Sequence, residues 1–212
     1  MTLYSYWRSS ASFRVRIALN IKGIDYQQAA VHLVRNGGEQ HSDLYKGINP
    51  QELVPALIDG DNILTQSMAI IEYLDEMYPN PALLPQAPLA RAKVRAMANI
   101  IATDTHPIQN LRVLQKLKYQ GFSQEQVNSW VVHWIELGFI SLEKMLKDVP
   151  QGQYFYGDTL TLADIAIAPQ LVNAKRFGAD LSKAPRVIEK IERLMALPEF
   201  DKAKPENQAD AE

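Results

Sequence analysis

Cysteine is absent from the chain. That excludes disulfides, thiolate metal ligands and CxxC redox chemistry. Any reaction that needs a thiol must therefore take it from a bound small molecule. Histidine is scarce, and His32, His41, His106 and His133 show no close metal-ligand spacing such as HxxxH. No metal is expected. An excess of either charge is also lacking. A net charge of −2 and a pI near 6.1 give no general pull toward nucleic acid or an anionic membrane. Acidic or basic residues interrupt every apolar stretch, so no segment reads as a bilayer span. The start, Thr2-Leu3-Tyr4, lacks a basic region followed by an apolar block. No signal peptide is read there, and a cytoplasmic location is the expectation.

What is present is apolar bulk. With 47% hydrophobic residues over 212 positions, the chain can bury one good core or two small ones. The first third alternates strand-like and helix-like segments. Leu3 to Tyr6 reads as a strand, and Ser12 to Lys22 as a helix with Val15, Ile17, Ala18, Leu19 and Ile21 inward, stopped by Gly23. Tyr26 to Leu33 suits a second strand, followed by a Gly37-Gly38 loop and a short helix around Ser42 to Lys46. Val54 to Ile58, the turn Asp59-Gly60-Asp61-Asn62, and Ile63 to Thr65 read as a hairpin. Ser67 to Met77 is a helix, ended by Pro79 and Pro81.

The proline-rich stretch Tyr78 to Pro85 reads as a linker. Beyond it every segment is helical. Leu89 to about Leu117 is one long candidate bent near Pro107. Gln124 to Leu146 is a second, a capping-box-like Thr161-Leu162-Ala163-Asp164 opens a third, and Arg186 to Met195 is a fourth. Lys202 to Glu212 is polar enough for a frayed tail. The expected organisation is a small α/β domain, 1–82, and an all-α domain, 87–212.

Three places carry chemistry. Trp7-Arg8-Ser9-Ser10-Ala11-Ser12 lies between the first strand and the first helix. Free N–H groups and the dipole at a helix start favour an anion. One serine there caps the helix on the plainer reading; three serines beside Arg8 admit an anion or thiolate site. Val54-Pro55 opens a strand where proline cannot donate to a ladder. It fits an edge, or a cis peptide whose Val54 turns its own N–H and C=O to a ligand. Gln66-Ser67 repeats the helix-start logic, as a cap or as a carboxylate site. Two such helix starts flanking a kinked Val-Pro suggest a groove for an extended, peptide-like, acidic ligand.

These residues resemble the glutathione S-transferase superfamily. Tyr6 through Leu19, Leu64 through Leu74, and His106-Pro107-Ile108-Gln109-Asn110-Leu111 are similar to the zeta class, and the likeness runs from Leu3 to about Phe200. The resemblance implies a thioredoxin-like N-terminal domain, an all-α C-terminal domain, glutathione as cofactor and a homodimer. Met97, Ile100, Ile101 and the linker are the apolar residues that permit a dimer surface. The resemblance also implies roles. Ser9 steadies the glutathione thiolate, and Ser10 completes its surroundings. Gln40, Val54 and Pro55 meet the peptide, while Gln66 and Ser67 hold the γ-glutamyl end. His106 and Asn110 are the helical domain's contribution. Arg8 stabilises an enolate or grips a substrate carboxylate, and Arg176 supplies positive charge. Residue reading alone leaves Arg176 equally a surface charge, and His106 equally a residue packed at a helix bend.

The class signature usually has Cys where this chain has Ala11, so the resemblance does not extend to activities needing that sulfur. The implied reaction is glutathione-dependent cis–trans isomerisation of a small diacid. Maleylacetoacetate, from tyrosine and phenylalanine breakdown, comes first and maleylpyruvate second. Conjugation or dehalogenation of α-halo acids and a non-catalytic glutathione-binding protein are the other readings.

Overall fold

The computed structural model describes residues 1–212 and divides into two compact units, 1–82 together with 196–212, and 83–195. In the first, β1 (Thr2–Ser5) leads into helix α1 (Ser10–Ile21), and β2 (Gln27–Ala30) returns parallel to β1. Helix α2 (Asp43–Ile48) follows, capped by Ser42. The hairpin of β3 (Ala56–Asp59) and β4 (Asn62–Thr65) completes a four-stranded sheet in the order β2-β1-β3-β4. Helix α3 (Ser67–Met77) ends the segment.

The register decides where the chemistry gathers. Tyr4 pairs with Ala56, and Ala56 with Thr65. Strands β1 and β4 run the same way, opposite to β3. The ends of β1 and β4 and the start of β3 therefore share one edge of the sheet, and Ser5 beside Ala30 adds the end of β2. All four loops that carry the first unit's expected cofactor residues leave from that edge.

Helix α1 is buried on every side from Ser12 to Leu19, more than an amphipathic surface helix would be. It packs against α3, and helix α10 (Pro198–Ala203) covers another flank. Here the expected frayed tail is corrected. Phe200 and Ala203 are buried, and the Asn20 amide donates to the Glu199 carbonyl at 2.8 Å. Segment 196–212 belongs with the first unit, so the helical unit does not run on to residue 212.

The second unit is helical throughout, and its first expected helix is also corrected. Helix α4 (Pro88–Asn99) passes into a π-helical turn (Ile100–Thr105) and a 3₁₀ turn (Pro107–Gln109), and α5 (Leu111–Tyr119) then starts afresh. The break begins well before Pro107. The His106 N–H reaches the Ile101 carbonyl at 2.8 Å, the i−5 spacing of a π turn. The Thr105 hydroxyl donates to the Ile100 carbonyl at 2.8 Å. Gly138 makes the fit possible, since a Cβ there would lie 2.4 Å from the Thr105 hydroxyl oxygen. That glycine belongs to α6 (Gln124–Met145), whose Val131, Ile135, Phe139 and Leu142 are buried.

Helix α7 (Leu162–Ile167) is buried along its whole length and packs on α4. Pro169 separates it from α8 (Gln170–Phe177), a helix the sequence pattern did not resolve. Helix α9 (Pro185–Met195) packs on α6. Met97 and Ile101 are fully buried within the chain, which corrects their expected place on a dimer surface. Ile63, Met77 and Leu89 are among the apolar residues left exposed.

The expected box at Thr161-Asp164 forms with an added donor. Asp164 takes N–H groups from Thr161 at 2.7 Å and Phe155 at 2.9 Å, and the Thr161 hydroxyl at 2.8 Å. Burial pushes its carboxyl up to about 6 despite these bonds. A carboxyl raised from 3.8 favours the folded state at low pH and loses that contribution as pH rises from about 4 to about 6. The stability gap between the parent and Asp164→Asn is therefore expected to narrow by about 2 kcal/mol between about pH 4 and about pH 7. Urea unfolding at each pH measures this, and a gap independent of pH would contradict it.

Candidate active site

The turn between β1 and α1 carries Arg8, Ser9 and Ser10. The Ser9 N–H closes it on the Tyr6 carbonyl at 3.0 Å, and the Ser9 hydroxyl oxygen accepts the Ser12 N–H at 3.2 Å. Ser9 is thus the N-cap of α1, as its plainer reading held. The two readings do not compete: capping uses one lone pair of the hydroxyl and leaves its hydrogen to donate elsewhere. Ser10 is buried within the first turn of α1. The Arg8 guanidinium lies over the rings of Trp7 at 5.3 Å and Tyr6 at 5.8 Å. A guanidinium placed over aromatic rings can still offer its in-plane donors to an anion.

Val54-Pro55 is cis. The Tyr45 hydroxyl and the Asn49 amide both donate to the preceding Leu53 carbonyl, each at 2.7 Å. Neither the N–H nor the C=O of Val54 enters a hydrogen bond within the chain, and the residue is 8% exposed. A nearly buried peptide group in that condition suits an extended ligand that pairs with it as a strand would.

Gln66 sits at φ 69°, ψ 113°, an unusual backbone state for a residue other than glycine. Its amide donates to the Gln51 side chain at 2.6 Å. Ser67, 7% exposed, starts α3, and the Arg14 guanidinium approaches its hydroxyl at 3.5 Å. Arg14 is wholly buried, and desolvation lowers it to about 10, so it stays charged near neutral pH. A fixed cation beneath a helix N-terminus strengthens that end's pull on a carboxylate. Gln40 is 5% exposed. Its amide nitrogen donates to the Leu33 carbonyl at 3.3 Å, while its amide oxygen is buried without a partner. Gly38, at φ 108°, lets the loop fold over that amide, because a Cβ would meet it at 2.5 Å.

One edge of the first unit thus brings together Arg8, Ser9, Ser10, Gln40, Val54, Pro55, Gln66 and Ser67. His106, Asn110 and Arg176 belong to the second unit. There His106 ends the π turn and Asn110 caps α5, its side-chain carbonyl accepting the Arg112 N–H at 3.2 Å. The Trp130 indole donates to the Ile108 carbonyl at 2.8 Å and ties this bend to α6. Arg176 lies on a separate element, exposed in the last turn of α8 and stacked over Phe177 at 5.1 Å.

Three contributors escaped the sequence reading: Arg14, Arg16 and Gln51. For the arginines a signal existed. Two charges spaced i, i+2 in a short helix otherwise apolar from Phe13 to Leu19 cannot both face water. Gln51 offered none.

Residues 1–76 match the family model for the glutathione S-transferase N-terminal domain. Over its full length the chain is 51% identical to a probable maleylacetoacetate isomerase of Vibrio cholerae, covering 98% of that protein. Its fold superposes on the holo structure of a bacterial zeta-class maleylpyruvate isomerase with TM-score 0.96, at 45% identity and complete coverage of both chains. The maleylacetoacetate isomerase of Methylobacterium extorquens AM1, bound to malonate and GSH, gives 0.95 at 38% identity, again over both whole chains. Sheet, loop cluster and helical unit are those of the glutathione S-transferases. Within that superfamily the chain belongs to the zeta class, the family of maleylacetoacetate and maleylpyruvate isomerases.

Proposed function

We propose that the protein is a glutathione-dependent cis–trans isomerase that converts maleylacetoacetate to fumarylacetoacetate. Its first unit is the glutathione-binding one, and the helical unit, 83–195, is the substrate-binding one. The carrying observation is the set of unspent polar groups on one sheet edge. These are the free Val54 peptide group, the orphaned Gln40 oxygen, the Ser67 helix start and the spare hydrogen of Ser9. They match, in order along the edge, what a γ-glutamyl tripeptide with a thiolate needs. The residues present therefore fit glutathione.

Bound there, glutathione supplies a nucleophilic sulfur that adds reversibly to an electron-poor carbon–carbon double bond, which can rotate while it is single. The protein's own groups do the rest. Val54 pairs with the tripeptide backbone, Gln40 reaches its peptide, and Gln66 and Ser67 hold the γ-glutamyl end, with Arg14 adding charge from below. The Ser9 hydroxyl donates to the sulfur and, with the α1 N-terminus and Ser10, favours its anionic form. Arg8 faces the carboxylate of the substrate or the oxygen on which charge gathers. His106, Asn110 and Arg176 are the helical unit's contribution to ligand and diacid binding. Ala11 does not obstruct this chemistry, since the only sulfur required is borrowed.

Maleylpyruvate is the second reading, favoured by the near-identical fold of the bacterial enzyme that bears its name. A cytoplasmic homodimer completes the proposal; no helix is long and apolar enough to cross a membrane. The test is an isomerase assay on both diacids with and without glutathione. Turnover is expected only with glutathione and faster on maleylacetoacetate. S-methylglutathione, which has no free thiol, is expected to give none. Isomerisation without any thiol would overturn the reading.

A further inference from the structure

Two backbone groups of the Tyr6–Ser9 turn, both of Trp7, are met by side chains rather than by backbone. The Trp7 N–H donates to an Asp210 carboxylate oxygen at 3.0 Å. The Trp7 carbonyl accepts from the Arg16 guanidinium at 3.0 Å. Arg16 also donates to the Tyr6 carbonyl at 3.4 Å and the Ser5 hydroxyl at 3.0 Å, and its Nε–H is aimed by the Ala203 carbonyl at 3.1 Å. The second Asp210 oxygen accepts the Gln28 amide of β2 at 2.8 Å. Asp210 and Ala203 both lie in the segment 196–212, one holding Trp7 directly and the other through Arg16. Two consecutive planar peptide groups are thus held, Tyr6–Trp7 at its N–H and Trp7–Arg8 at its C=O, and they fix the backbone from which Arg8 and Ser9 follow.

We propose that Asp210 is a positioning residue for the reaction: it clamps the Trp7 N–H so that the Ser9 hydroxyl and the Arg8 guanidinium meet the glutathione sulfur and the substrate at working distance. The proposal rests on the isomerase reading above. It assigns to the segment from α10 onward a catalytic consequence although no residue of it touches ligand. A hydroxyl-to-sulfur bond weakens steeply with small displacements, and a supporting shell left loose costs turnover more than binding. Glutathione affinity, by contrast, is set mainly by Val54, Gln66 and Ser67, which Asp210 does not touch.

Asp210→Ala, Asp210→Asn and Ser9→Ala test it side by side in the full chain. The readouts are amide hydrogen exchange at Trp7, the pKa of the bound glutathione thiol followed by thiolate ultraviolet absorbance, and kcat and KM. Asp210→Ala is expected to speed Trp7 exchange at least about tenfold, to move the bound thiol pKa up toward that of free glutathione, and to lower kcat about tenfold. KM for glutathione is expected to change less than about twofold. Asp210→Asn is expected to recover much of the loss, because its oxygen still accepts the Trp7 N–H and Gln28 can turn its amide to match.

A thiol pKa and kcat unchanged in Asp210→Ala, with the Ser9→Ala pKa raised, overturns the positioning role and leaves the Ser9 reading standing. A pKa unmoved even by Ser9→Ala overturns both. Should Asp210→Ala fail to fold, Asp210→Asn and the parent's Trp7 exchange decide. Trp7 exchanging as fast as an unstructured amide in the parent rejects the clamp.

Discussion

Replacing Ser9 with alanine is expected to lower turnover more than about tenfold, because the hydroxyl proposed to donate to the sulfur is lost. The same change removes a helix cap, since the Ser9 oxygen accepts the Ser12 N–H. That loss costs about 1 kcal/mol of stability. The two effects separate by experiment. A residue that only capped would show the stability loss and keep its turnover at temperatures well below unfolding. One that also serves the sulfur loses turnover at every temperature, and its pH–rate profile shifts upward as the thiol becomes a weaker acid. Ser9→Thr retains both the acceptor and the donor and is expected to recover most of each. Near-parental kcat in Ser9→Ala, measured on saturating glutathione and diacid, would reject the role. The full-length likeness to zeta-class isomerases would then stand without a mechanism for this chain's own serine.

Most of the first unit was legible in the sequence, because its signals are local. The Ser67–Met77 helix, the hairpin around Gly60-Asp61 and the stop at Gly23 each depend on residues within a few positions of the feature. The loop cluster was legible for a second reason. Once β1 and β4 run together against β3, the sheet register places Ser9, Val54 and Ser67 on one edge. What was not legible depended on distant partners. The residues from Lys202 onward read as polar and therefore frayed. Their acids are instead spent on the Trp7 N–H and Gln28 and on Arg35 and His32, none of them near in sequence. Likewise the π turn at Ile100–Thr105 follows from the approach of Gly138 to Thr105, a contact that no periodicity within residues 89–117 contains. Met97 and Ile101 were misplaced for the same reason, since helical spacing names an apolar face but not what covers it.

The largest expected loss of stability lies in Arg16→Met, a change of similar length at a side chain wholly withdrawn from water. Two effects oppose one another there. Burial lowers the Arg16 pKa to about 10, with Tyr26 and the Asp210 carboxylate pulling it back up. Keeping the charge inside therefore costs the folded state about 3 kcal/mol, which methionine would return. Against this, methionine removes four hydrogen bonds from a cation, each contributing about 1.5–3 kcal/mol. It also leaves the buried Ala203 carbonyl and the partly buried Trp7 carbonyl without donors, while the Tyr6 carbonyl keeps the Ser9 N–H. The second side wins, and a net destabilisation of about 3 kcal/mol or more is expected by urea unfolding. Arg16→Lys is expected to fall between, because a single ammonium cannot span Ala203, Ser5 and Trp7 at once. Turnover should fall with either change even where the protein remains folded, as the Trp7 carbonyl is one of the two grips on the turn that carries Ser9. An Arg16→Met protein as stable as the parent would mean that the carbonyls find water instead, and that the guanidinium is not what joins segment 196–212 to the active-site turn.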